Sequence, residues 1–196
     1  MCKDKERGAK MGWTGCMNYE GYTPKEYWKK VFLPEIEHWS SETPDCMKIV
    51  AENSYGKEFY AAVHDTRNNK TWALIALIVK DRKTGEICYK DMDETCHPFY
   101  YNASASVLNA LSPTDNENSN EWRKQCRAEK KRKYEKKKLF DSLQDGVKLR
   151  FKNGYKIDGK SVHEFTLKSK QFGYFSDEHG TYRLRGWKSN PFEIVA

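Results

Sequence analysis

The run Trp72-Ala73-Leu74-Ile75-Ala76-Leu77-Ile78-Val79 constrains the fold more than any other stretch of this chain. It is well under half the ~20 apolar residues that a bilayer-spanning helix needs. Read as a strand, it is apolar on both faces and must be covered on both, so it belongs at the centre of a sheet. Arg67-Asn68-Asn69-Lys70 precedes it and Asp81-Arg82-Lys83-Thr84-Gly85 follows it, both in turn-forming residues. Such short connections allow antiparallel hairpins but no parallel crossover. Segments 47–53, 58–65, 71–80 and 86–91 all read as strands, with Ser54-Tyr55-Gly56-Lys57 closing the first hairpin. The expectation is a four-stranded antiparallel meander.

A helix with a readable start precedes this sheet. Thr23 stands as N-cap, Pro24 at the first helical position and Glu26 three residues after the cap. Tyr27, Trp28, Val31 and Phe32 form its apolar stripe; Pro34 ends or kinks it, and Ile36 to Trp39 add a further turn. A helix laid across one face of a meander predicts an α+β domain. After the sheet come Phe99-Tyr100-Tyr101 and a short helix over 104–111, whose inward face is Val107, Leu108 and Leu111.

The net charge is +7, and its location matters more than its size. Between Glu121 and Lys138 stand Arg123, Lys124, Arg127, Lys130, Lys131, Arg132, Lys133, Lys136, Lys137 and Lys138, against Glu121, Glu129 and Glu135. That segment carries the whole excess, and a local block of one sign describes one surface. Arg, Lys, Glu and Ala favour a helix, which Asn118, Ser119 or Asn120 would cap. Trp122 and Cys126, four apart, give it an apolar foot; beyond them the same stripe reads Lys130, Tyr134 and Lys138, which predicts a helix standing in solvent. A solvated connector accounts for this, and so does a docking surface for phosphates or an acidic protein.

From Gly146 onward short alternating segments return: Val147-Leu149-Phe151, Phe165-Leu167, Phe172-Tyr174, Tyr182-Leu184 and Phe192-Ile194. Turns are expected at Lys152-Asn153-Gly154, Asp158-Gly159, Asp177-Glu178-His179-Gly180 and Ser189-Asn190-Pro191. The pattern predicts a small SH3-like β-barrel. The expected organisation is a flexible extension over 1–10, an α+β domain over 11–116, a basic connecting helix over 117–143 and the barrel over 144–196. In the barrel, Tyr155, Phe172, Tyr174, Tyr182 and Trp187 interleave with Lys168, Lys170, Arg183, Arg185 and Lys188. Aromatics among cations can stack and clamp a nucleic-acid strand, although a small barrel also needs aromatics in its core.

The six cysteines contain no C-x-x-C pair and no zinc-finger spacing, and no basic-then-apolar leader opens the chain. Reduced thiols, with Cys88 inside a strand, and a cytoplasmic protein without membrane attachment follow as expectations. The phosphate-binding, nucleophile-elbow and H-E-x-x-H motifs are absent from the sequence.

Met11-Gly12-Trp13-Thr14, Tyr89-Lys90-Asp91-Met92-Asp93-Glu94, Pro98-Phe99-Tyr100-Tyr101 and Asn120-Glu121-Trp122-Arg123 together resemble a family of small proteins encoded by phages and conjugative elements. The resemblance covers roughly 11–127 and brings no established reaction with it. Phe99 stands where the family more often has Tyr. The resemblance implies a mobile-element setting in a bacterial host, where small proteins blunt host defence, as anti-restriction and anti-CRISPR proteins do. It also suggests a common cleft among Trp13, Tyr89 and Tyr100.

Asp91, Asp93 and Glu94 put three carboxylates at a strand end. Asp91 and Asp93 share a face and could hold Mg²⁺ through hard oxygen ligands, with His97 as acid or base; Glu94 points the other way unless the strand turns. Glu20, His64 and Asp65 are more distant contributors. Carboxylates in such a place also cap turns or pair with cations, and Lys90 and Arg82 are near in sequence. Three functions stand open: a counter-defence protein that binds DNA, RNA or a host nucleoprotein complex through its basic helix without a cofactor, a metal-dependent nuclease, and an inhibitor that docks on an acidic protein groove.

Overall fold

The computed structural model describes residues 15–17, 21–37 and 46–195. The extension expected over 1–10, the Met11–Thr14 motif with Trp13, and Cys2, Glu20 and Trp39 lie outside the described residues. The chain is α+β and divides into two compact units, Met1–Arg132 and Lys133–Ala196.

The first unit opens with β1 (Gly15–Met17). The Thr23 cap then closes a full capping box: its hydroxyl accepts from the Glu26 N–H at 3.2 Å, and Glu26 Oε2 accepts from the Thr23 N–H at 2.9 Å. Helix α1 (Pro24–Tyr27) runs into a π-helical turn over Trp28–Phe32 and on into α2 (Leu33–Glu37). Pro34 therefore does not end the helix. Its missing N–H and its ring demand a locally widened ladder, and the π turn just before it provides one.

Strands β2 (Met47–Tyr55), β3 (Glu58–Asp65), β4 (Lys70–Lys80) and β5 (Ile87–Asp93) follow. The sheet order is β1-β5-β4-β3-β2, every neighbour antiparallel, with β4 in the middle as its double-faced apolar sequence requires. Leu74, Ala76 and Ile78 join Tyr27, Trp28, Phe32 and Ile36 on one face. Ala73 and Ile75 join Tyr60, Val107, Leu108, Trp122 and Cys126 on the other. The second face is covered by α3 (Ala105–Ala110) and the first turns of α4 (Glu117–Ser142), so helices lie on both sides of the sheet rather than one.

Cys88 departs from its expectation as a reduced thiol and is disulfide-bonded. Its register partner on β1 is Cys16. Cys46, Cys96 and Cys126 are free.

In the second unit β6 (Lys148–Ile157), β7 (Lys160–Ser169), β8 (Tyr174–Ser176), β9 (Thr181–Arg183) and β10 (Phe192–Val195) form an antiparallel sheet in the order β10-β6-β7-β8-β9. The expected barrel does not close: among the described residues the outer strands β9 and β10 have no pairing with each other. β8 and β9 are three residues each, and the core that closure would have sealed is filled by Phe140, Leu143 and Trp187 beside Phe151, Phe165 and Phe175.

Lys152-Asn153-Gly154 is not a turn but lies inside β6, where the pairing with β7 shifts register. Gly154 lies close against the neighbouring strand: a Cβ would meet Ser161 Oγ and come within 2.7 Å of His163 Nε2, so those side chains would have to shift. The true hairpin is Asp158-Gly159, both residues at positive φ (48° and 81°), as a two-residue turn between twisted strands demands. No helix among the described residues is long and apolar enough to cross a membrane.

Candidate functional site

The acidic cluster is pulled apart by the end of β5. Asp91 and Asp93 lie opposite Ala76 and Leu74 and share a face of the strand. Asp93 accepts from the Thr95 N–H at 2.7 Å and caps a short 3₁₀ turn, Glu94–Cys96. That turn carries Glu94 away to the other face of the sheet, where it is buried. Its two oxygens accept from Arg123 Nε and Nη2, both at 2.6 Å, and the Ala73 N–H lies 3.4 Å from Oε1. Arg123 Nη1 donates to the Ser112 carbonyl at 2.7 Å.

Two sequence-derived candidates thus satisfy each other in the interior. Glu94 is not presented beside Asp91 and Asp93, and Arg123 is not presented to a partner. His97, at φ 53°, follows the turn and sets its ring edge-on to the exposed Phe99 at 5.8 Å. It borders a shallow depression of about 140 Å³ with Tyr101, Glu121 and Trp122. Among the described residues, no three His, Cys, Asp or Glu side chains stand together as metal ligands.

Tyr89 and Tyr100 do not share a cleft. Tyr89 packs against Tyr27 and Phe32 on the α1 face, with ring centroids at 6.1 and 5.4 Å. Tyr100 belongs to the core on the opposite face, and its carbonyl accepts from Trp122 Nε1 at 2.8 Å. Alternation along the strands separates them, because the sheet itself stands between. His64 is engaged with Thr71 Oγ1 at 3.0 Å, and Asp65 with the Arg67 guanidinium at 2.8 Å. The Arg67 hydrogen bonds hold the Asp65 carboxyl below its ordinary range.

Helix α4 is capped by Asn116, whose side-chain oxygen accepts from the Ser119 N–H at 2.9 Å; the cap precedes the three residues that composition suggested. Ser119, Trp122, Arg123 and Cys126 are its buried foot. From there to Leu143 no residue of the helix is buried. Lys124 pairs with Glu121 at 3.4 Å, and Arg132 is bidentate on Glu129, which raises the guanidinium pKa further. The Lys136 ammonium lies 5.7 Å from the Phe140 ring. Lys131 and Lys133 also have interactions of their own. Arg127, Lys130, Lys137 and Lys138 are exposed and have no carboxylate partner among the described residues.

The aromatic and basic residues of the second unit sort into four groups. Tyr155 and Tyr182 pack on the core. Lys170 closes the end of α4, its ammonium 2.8 Å from the Leu143 carbonyl, 3.2 Å from that of Asp141 and 3.4 Å from that of Phe140. Phe172, Arg183, Arg185, Trp187 and Lys188 gather along a groove of about 520 Å³ beside the exposed Tyr174. Lys168 stays on the exposed strand surface. The interleaving was visible in the sequence, but only the packing tells core rings from surface rings.

The chain is similar to a family over 113–187. That family is described as a domain of unknown function, DUF6927. The matched stretch holds all of α4 and strands β6 to β9, and it ends at Trp187. It therefore falls where the motifs resembling mobile-element proteins do not, apart from an overlap over 113–127. No curated protein and no solved structure matches the chain.

Proposed function

We propose that the chain binds the phosphates of DNA or RNA, free or within a host nucleoprotein complex, through the exposed cations of α4. The observation that carries the reading is the state of those cations. Beyond the apolar foot the helix covers nothing with them, and Arg127, Lys130, Lys137 and Lys138 have no acidic partner among the described residues. A cation held without a counter-charge costs folding energy through self-repulsion, and a polyanion relieves it by releasing its own condensed counterions. The setting, a mobile element acting against host defence, rests on the resemblance of the motifs between 11 and 127.

The test is retardation and fluorescence anisotropy with labelled duplexes and single strands at two salt concentrations. Four phosphate contacts predict a loss in duplex affinity on the order of 100-fold between 50 and 200 mM salt. Replacing Lys130, Lys137 and Lys138 together by Glu should abolish retardation of the duplexes while thermal unfolding stays unchanged. Unaltered retardation by that variant would refute the reading. Absence of any retardation, with capture of a nucleic-acid-free host protein, would turn it to an acidic protein groove. Mg²⁺-dependent cleavage lost in Asp91→Ala would turn it to a nuclease, although Glu94 would have to act from the buried ion pair with Arg123.

A further inference from the structure

The groove of the second unit is a binding site in its own right. The chain leaves β7, makes a tight turn at Gly173 (φ 67°) and enters β8 at Tyr174. It returns along β9 to Arg183, the register partner of Tyr174. A second tight loop follows, with Gly186 at φ 70° and its carbonyl accepting from the Ser189 N–H at 2.8 Å. The two loops are tied by the Leu184 N–H to the Gly173 carbonyl at 3.1 Å.

Trp187 is held between them, 5% exposed, edge-on to Phe140 and Phe175 at 5.3 and 5.2 Å. Its ring lies so close to the Gly173 backbone that a Cβ there would come within 2.9 Å of Nε1. The indole is thus a fixed part of the wall, and the Lys188 ammonium lies 5.7 Å from its ring. Phe172 is different: it is 56% exposed, with Tyr174 beside it at 6.4 Å, and it contributes nothing to the core. Phe172 thus leaves a ring face open to whatever enters the groove.

The charges of the groove point the same way. Arg183, Arg185 and Lys188 line it, and no carboxylate does. None of the three has a carboxylate partner among the described residues, whereas elsewhere in this unit Arg150 donates from Nε and Nη2 to Glu164 Oε1 and also reaches Glu193, and Lys148 pairs with Glu164 Oε2. Cations alone would suit an acidic peptide. Cations around an exposed ring suit a ligand that is both anionic and planar. The volume of about 520 Å³ holds a unit of nucleotide size. In a duplex the bases are stacked on one another and cannot reach Phe172.

We infer that this groove binds single-stranded nucleic acid, seating a base on the exposed ring of Phe172 and neighbouring phosphates on Arg183, Arg185 and Lys188. The site does not use the exposed cations of α4 and stands or falls separately from them.

The test uses the full chain and a labelled eight-nucleotide oligothymidylate, read by anisotropy over a range of salt. Phe172→Ala should weaken binding roughly 5- to 100-fold, the loss of one stacked base. Replacing Arg183 and Arg185 together by Ala should lower the slope of log affinity against log salt by about 1.4, two single-strand phosphate contacts. Lys168→Ala, an exposed cation outside the groove, should do neither. Unchanged binding by both groove variants would overturn the inference, as would a duplex of equal length that is lost to the same degree on Phe172→Ala. Thymidine monophosphate binding as tightly as the oligomer, or an oligoglutamate displacing it equally well, would also overturn it, in favour of a free nucleotide or an acidic protein. Oligomer binding abolished by the Lys130/Lys137/Lys138 charge reversal but indifferent to Phe172 would sink the groove and keep the α4 reading. The converse pattern would keep the groove and sink α4.

Discussion

A single side chain, Arg123, shows how a residue's type can mislead about its task. It sits in a block of cations, yet its side chain is 8% exposed, and it spends its three nitrogen donors on Glu94 and the Ser112 carbonyl. Arg123→Met should destabilise the first unit by about 3–5 kcal/mol in urea unfolding, because Glu94 is left charged in the interior. Pairing it with Glu94→Gln should recover much of that loss. Any fall in nucleic-acid binding by the single variant would then reflect unfolding.

Cys126, beneath the same helix, is pushed up to about 12 by burial. The fold favours the neutral thiol, so its contribution is fully present below the unfolded value near 9 and is lost as pH rises toward 12. The Tyr60 phenol, raised by burial and by its hydrogen bond to Glu58, works in the same direction. Stability should decline above pH 9, and at pH 8 iodoacetamide should modify the exposed Cys96 while sparing Cys126. The sequence displayed Glu94 and Arg123 as separate candidates because nothing local reveals a partner 29 residues away.

At the scale of elements, what could be read was what depends on neighbours in the chain. Thr23, Pro24 and Glu26 announce a helix start through bonds within three residues, and 58–65 matches β3 because its turns sit at both ends. What could not be read depends on what lies across. Gly154 imitates a turn residue, but its smallness serves Ser161 and His163 on the adjacent strand. Gly154→Ala should therefore cost about 1–3 kcal/mol through overpacking, measurable as a lowered unfolding midpoint. Lys170 likewise looks like part of a clamp and instead closes α4, where a cation meets the carbonyls at the negative end of the helix dipole. Lys170→Met should cost about 1 kcal/mol of stability and leave oligothymidylate binding intact.

The whole molecule is two units joined within one helix. The first unit buries a cluster on each face of its sheet and the second has one of its own, and the cut falls between Arg132 and Lys133, in the part of α4 with no buried residue. Helical turns without tertiary packing open most easily. Limited trypsin should therefore cut first within 127–138 and leave two resistant fragments, which gel electrophoresis and mass spectrometry would identify; early cleavage inside either sheet would contradict the division. The length of that bare segment sets a scale of its own. At about 1.5 Å of rise per residue it extends over 127–142 for roughly 24 Å, about two-thirds of one turn of B-form DNA. Laid along a duplex, α4 would shield only about seven base pairs from a cleaving reagent. Any longer footprint would have to be produced by another part of the molecule.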